Sequence, residues 1–160
     1  MIGIRYFKAE PTEYARLSVG EKVKKEGKGA RGWYLAHNTS IELVCTTIVD
    51  QPFQFNESTA DNQEVSLQGG FMYKVDNPAK ILAEYNHSID PKTKNYITED
   101  PRKLPEHILE IARASARKVM QKKKLEELLV MADEISHSVS EEVSASPLLE
   151  ELGVKVSTFY

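Results

Sequence analysis

The feature that most constrains this fold is a change of period at Asn77-Pro78. Before that dipeptide, apolar residues tend to alternate, as they do along strands. After it they recur every three or four residues, as they do along helices. The first half must therefore supply a sheet and the second half the helices that cover it.

Within the first half, residues 2–7 read as a short strand rich in β-formers, ended by Pro11. Residues 13–19 alternate, Gly20 marks a turn, and residues 21–26 form the second arm of a hairpin. Gly27, Gly29 and Gly32 punctuate a loop ahead of Trp33-Tyr34-Leu35. Residues 40–50 place Ile41, Leu43 and Cys45 on one face and Val44, Thr46 and Ile48 on the other. That pattern predicts a central strand covered on both sides and closed by Pro52. Residues 63–75 form the longest predicted strand, in which Gly69-Gly70 marks a bulge or a close approach.

In the second half, Asn77 is placed to cap a helix over 79–85, with Pro78 at its first position. Residues 87–104 contain Pro91 and Pro101 and show no period, which predicts a functional or mobile loop. Pro105 opens a helix to residue 121, with Ile108, Ile111, Ala112, Ser115 and Val119 on one face. Its acids come early and its cations late, as the helix dipole favours. A second helix, from 125 to about 145, carries Leu128, Met131, Ile135, Val139 and Val143 as its stripe. Ser146-Pro147 interrupts it. A short turn over 148–152, capped by Ser146, ends at Gly153, and a closing strand follows over 154–160. The expected fold class is α+β, a single domain over 1–160. It has a twisted, mainly antiparallel sheet, helices segregated to the C-terminal half, and a closing strand that returns to the sheet.

A chain of 160 residues is long enough to bury a real core. Its formal net charge of −3 argues against a nucleic-acid partner, but the charge is unevenly spread. Arg113, Arg117, Lys118, Lys122, Lys123 and Lys124 occur without an intervening acid. Residues 125–153 then carry acids only, Glu126, Glu127, Asp133 and Glu134 among them. Two readings stay open: the stretches pair within one chain, or one copy's bases meet the next copy's acids head to tail. These ten residues are the candidates for self-association. No apolar run reaches the length of a membrane span, and the N-terminus lacks a signal-peptide core. The expected location is the cytoplasm or the cytoplasmic face of a membrane.

The residues offer little for catalysis. Cys45 with His37 as base is the one nucleophile pair to consider, yet Cys45 lies among apolar strand residues and is expected to be a buried core thiol. A single cysteine excludes an internal disulfide, and the four histidines lack metal-ligand spacing. Gly27, Gly29 and Gly32 spell a GxGxxG pattern, but strand signals follow it where a dinucleotide site needs a helix, so it reads as a turn. No catalytic group, metal or cofactor is expected. Lys22, Lys24, Lys25, Lys28 and Arg31, beside Trp33 and Tyr34, could face anionic lipid headgroups. An ordinary solvated hairpin is the simpler reading of them.

Four motifs occur in order: Asp61-Asn62-Gln63-Glu64-Val65, the passage Phe71 to Lys80 through Asp76-Asn77-Pro78, the run Lys122 to Leu129, and Glu151-Leu152-Gly153-Val154-Lys155-Val156. In type and spacing they resemble the stomatin/prohibitin/flotillin superfamily, the SPFH or band-seven domain, from about residue 10 to 160. The resemblance implies a non-enzymatic scaffold that self-associates and organises partner proteins at or near a membrane. The alternative it leaves is a soluble adaptor for one protein partner, such as a membrane protease. The family's hydrophobic anchor and its long coiled coil are not among these residues, so an excised domain is expected, or else a short soluble member.

Overall fold

A computed structural model describes residues 3–160. The chain divides into two compact units, Met1–Thr47 with Val75–Lys103, and Ile48–Lys74 with Leu104–Tyr160. The fold is α+β, with antiparallel sheets in the N-terminal half, then helices and a closing strand, as the period change requires.

In the first unit, β1 (Ile4–Lys8) pairs antiparallel with β4 (Arg31–Leu35), setting Tyr6 opposite Trp33. Ile2, the start of the predicted first strand, lies outside the described residues. A second sheet has β2 (Glu13–Val19) between β3 (Lys22–Lys28) and β5 (Thr39–Cys45). The hairpin β2–β3 is the predicted one. Phe7, Ala15, Leu17, Tyr34, Ile41, Leu43 and Ile89 share one core, because alternate residues of β2 and β5 point to the same side.

The predicted strand over 40–50 is two strands. β5 ends at Cys45, and β6 (Val49–Ser58) begins a different sheet in the other unit. Cys45 is consequently exposed, not buried: it sits at the strand end with its Sγ 2.9 Å from Thr47 Oγ1. Alternation alone could not locate that break.

Residues 87–104 are not a structureless loop. The Leu43 amide donates to the His87 carbonyl at 3.1 Å, and the Ile89 amide to the Ile41 carbonyl at 2.9 Å, so this segment continues the sheet beyond β5. The Tyr96 hydroxyl donates to the Leu43 carbonyl at 2.7 Å. β5 thereby acquires a neighbour on each side, but through isolated bridges that leave no periodic signature.

α1 (Pro78–Glu84) follows β7, yet the Asn77 side chain makes no capping bond; its backbone carbonyl accepts from Lys80 instead. α2 (Asp100–Met120) starts earlier than Pro105. Pro101 lies in its first turn, where a missing donor costs nothing, and Asp100 accepts the Asn86 amide at 2.9 Å. Glu99-Asp100-Pro101 was the start signal. Pro105 removes one helical hydrogen bond within α2.

In the second unit, β7 (Glu64–Val75) runs between β6 and β8 (Val154–Phe159). Pro52 lies inside β6, opposite Gly70, which an edge strand tolerates. Gly70 and Tyr160 exchange both backbone hydrogen bonds, at 2.9 and 3.0 Å, as an antiparallel pair does. Gly69-Gly70 is thus a close approach: a Cβ on Gly69 would fall on the Tyr160 carbonyl, and one on Gly70 on the Tyr160 ring. Phe71, fully buried, stacks near Phe53, Tyr73 and Phe159 across the three strands.

Buried Ile108, Ala112, Ser115, Ala116 and Met120 form the inner face of α2. The predicted helix over 125–145 is two helices, α3 (Leu125–Leu128) and α4 (Ala132–Ser144). Between them the Val130 and Met131 amides bond to carbonyls three residues back, Glu127 and Leu128. A step of three residues suits both kinds of turn, so the stripe runs through the break and conceals it. α5 (Pro147–Glu151) ends at Gly153, whose φ of +67° is the left-handed conformation glycine adopts without strain. Ser146 occupies the capping position without a side-chain bond.

Candidate functional site

The basic stretch is partly tied down inside its own unit. Glu57 lies on the inward-facing row of β6 with Phe53 and Phe55, and its side chain is only 7% exposed. A carboxylate there needs partners. Arg113 and Arg117, one helical turn apart on α2, supply them. The Arg117 Nε and Nη2 donate to Oε2 and Oε1 at 2.9 and 3.0 Å, and the Arg113 Nε donates to Oε1 at 2.7 Å. The Arg117 hydrogen bond, more than any other influence, holds the Glu57 carboxyl below its ordinary range.

Of the remaining candidates, Lys118 reaches Glu142 on α4 at 3.4 Å, and Lys123 approaches Glu127 at 4.0 Å. Lys122, Lys124, Glu126, Asp133 and Glu134 stand exposed. Basic and acidic stretches therefore do meet within the chain, but the arginines choose β6.

Lys22, Lys24, Lys25 and Lys28 line the edge strand β3, all exposed, where lysines also discourage edge-to-edge pairing. Arg31 is exposed on β4, and Trp33 is 73% exposed with Tyr6 edge-on at 5.2 Å. Tyr34 instead points inward and belongs to the core, because neighbours on a strand face opposite ways. A hollow of about 490 Å³ opens beside Trp33, between β3 and β4.

A second cavity, about 440 Å³, lies in the other unit among Phe53, Phe55, Leu67, Leu128, Ile135 and Phe159. Its polar rim is sparse: Gln68, Asp133 and Ser136, whose hydroxyl already donates to the Phe159 carbonyl at 2.9 Å.

The outer face of β2 carries a polar ladder that sequence reasoning missed. Arg16 stands between its cross-strand neighbours Glu26 and Glu42. The Tyr14 hydroxyl donates to Glu26 at 2.5 Å. Burial and then Glu26 push the Tyr14 phenol up to about 12, while the Tyr14 bond lowers Glu26. Burial raises Glu42. The ladder joins three strands of one sheet.

Among the described residues, no group of three or more His, Cys, Asp or Glu side chains is placed to hold a metal. Gly27, Gly29 and Gly32 connect two strands, β3 and β4, without a following helix. No described helix is long and apolar enough to cross a membrane.

The four sequence motifs all fall at junctions, and two of them touch. The Asp61 carboxylate, in the β6–β7 turn, accepts the Thr59 hydroxyl at 2.5 Å and the Leu125 amide at 3.4 Å. The Ala60 amide donates to the Lys123 carbonyl at 2.9 Å. An acid at the start of α3 thus comes from 64 residues earlier in the chain. The family model of the SPFH domain / Band 7 family matches residues 7–159. The chain belongs to this family. No curated protein matches it in sequence. The SPFH domain / Band 7 family is generally non-enzymatic. The SPFH motifs here do structural work: the Asp76-Asn77-Pro78 passage turns β7 into α1, and Gly153 turns α5 into β8.

Proposed function

We propose that this SPFH domain is a non-enzymatic scaffold that self-associates and organises partner proteins at or near a membrane. The observation that carries this reading is the sorting of exposed charge. Lysines line the outer strand β3, while Glu126, Glu127, Asp133 and Glu134 crowd α3 and the start of α4. Two exposed surfaces of opposite sign on separate units orient one copy against another, contributing more to specificity than to affinity. The exposed Trp33 among lysines gives the β3–β4 region the composition of a contact with anionic lipid.

A second reading, a soluble adaptor for one protein partner such as a membrane protease, draws on the pairing of Arg113 and Arg117 with Glu57. Those cations are engaged within the chain and contribute less to contacts between copies. Sedimentation velocity over a range of concentration and salt separates the two. Association that grows with concentration and weakens with salt supports the scaffold. A monomer under every condition sinks it and leaves the adaptor. Flotation with phosphatidylserine vesicles tests the membrane component, and failure to float would remove direct lipid contact from the reading.

A further inference from the structure

Among the most exposed large apolar residues of the chain are Val130 (84%), Leu129 (73%) and Trp33 (73%). Single exposed apolar residues are ordinary, but two of these three adjoin and the third borders a hollow. Leu129 and Val130 are consecutive, on the short link between α3 and α4, where Leu129 also lines the mouth of the 440 Å³ cavity; this exposed aliphatic pair is here called the knob. Acids flank it on both sides, Glu126 and Glu127 before, Asp133 and Glu134 after. Trp33 instead forms a wall of the 490 Å³ hollow, with Leu17, Val19 and Leu35 among its apolar lining and Lys24 and Lys25 beside them. One feature is an exposed aliphatic pair set among acids. The other is concave, apolar and basic.

We infer that the Leu129-Val130 knob of one copy docks into the Trp33 hollow of a second copy. The inference rests on the self-association reading above and names its contact. The occupant is a second copy because this chain itself carries an exposed apolar pair among charges opposite to those beside the hollow. The aliphatic pair leaves water on entering the hollow, the favourable component. Lys24 and Lys25 approach the acids at its rim and set the orientation. Knob and hollow are different surfaces, so one contact leaves a knob and a hollow free: these meet each other in a two-fold dimer, or they recruit further copies into a ring or a filament.

A mixing experiment tests this. A knobless variant carries Leu129→Ser and Val130→Ser. A hollow variant carries Trp33→Ala, Lys24→Glu and Lys25→Glu, and circular dichroism checks that both are folded. Each alone should sediment as a monomer where the unaltered chain associates. Mixed, they should form a one-to-one complex, because the first keeps its hollow and the second its knob. Trp33 is the only tryptophan in the sequence, so in the mixture its emission comes from the intact hollow and should shift to shorter wavelength on binding. Should the triple hollow variant unfold, Lys24→Glu with Lys25→Glu alone should weaken association by about tenfold or more. If the unaltered chain associates but the variants associate as well as it does, the contact is wrong and self-association stands. If the unaltered chain stays monomeric at millimolar concentration in low salt, both fall. If only phosphatidylserine vesicles move the Trp33 emission, the hollow is a lipid site and the second copy is the wrong occupant.

Discussion

Arg117 grips both carboxylate oxygens of Glu57, a residue from a strand 60 positions earlier in the sequence. The bidentate geometry makes this pair stronger and more directional than the other ion pairs of the second unit. It fixes α2 to β6, and it turns part of a conspicuous basic stretch into an internal fastening. Arg113 adds a third bond and lies over the Phe55 ring, with its guanidinium carbon 5.8 Å from the centroid.

Glu57→Gln should therefore destabilise the protein by about 1–3 kcal/mol, since it weakens charge-assisted bonds to a buried group. The pH dependence has a definite sign. The folded Glu57 carboxyl lies below its ordinary value of 4.5, so its contribution is complete above that value and is lost as pH falls through and below it. Urea unfolding at a series of acidic pH values should show a shallower acid limb for Glu57→Gln than for the unaltered chain. Parallel limbs would remove Glu57 as a source of acid lability.

His87 should act in a higher window. Burial, its main influence, lowers its pKa from the ordinary 6.5, against the opposing effects of the Tyr85 carbonyl and Asp100. The unfolded chain takes up a proton near 6.5 while the folded one resists, so stability should fall as pH drops below 6.5. His87→Gln should flatten this part of the profile. Thermal unfolding between about pH 7 and pH 5, just above the range where carboxylates titrate, is the measurement.

Gly69 and Gly70 should respond differently to alanine. The Cβ at Gly70 would meet the far end of the Tyr160 side chain, whereas that at Gly69 would meet the Tyr160 backbone. Gly69→Ala should thus cost about 1–3 kcal/mol, as overpacking does, and Gly70→Ala less. Adding Tyr160→Ala should relieve Gly70→Ala but leave Gly69→Ala as costly as before. A double-mutant cycle by urea unfolding reads the difference.

Cys45 should react with a thiol reagent in the native protein, at a rate close to that of the unfolded chain, because it is exposed. Cys45→Ser should change stability by no more than about 0.5 kcal/mol, as surface substitutions usually do. Protection of the native thiol would contradict its position at the end of β5.

The sequence by itself determined the fold class, the passage from strands to helices, the β2–β3 hairpin and the turn at Gly153, while at Gly69-Gly70 it left a bulge or a close approach and the structure chose the close approach. Each of these is written in neighbouring residues, as a period, a turn residue or a conformation only glycine accepts easily. The four motifs that indicated the SPFH family were likewise local. Only the tertiary structure decided where the strand over 40–50 breaks, that Cys45 is exposed and Tyr34 buried, and that residues 87–97 flank β5. The same holds for the partner of the arginines. Arg113, Arg117 and Glu57 each look unremarkable in their own segment, and a buried acid in β6 gives no sign of which helix will neutralise it. Pairing across 56 or 60 positions depends on how elements pack, and no spacing along the chain encodes that. The knob at Leu129-Val130 was hidden for a similar reason. Leu129 and Val130 lie off the predicted stripe of Leu128, Met131 and Ile135, and nothing in their own segment says what stands opposite them; only the structure shows both exposed.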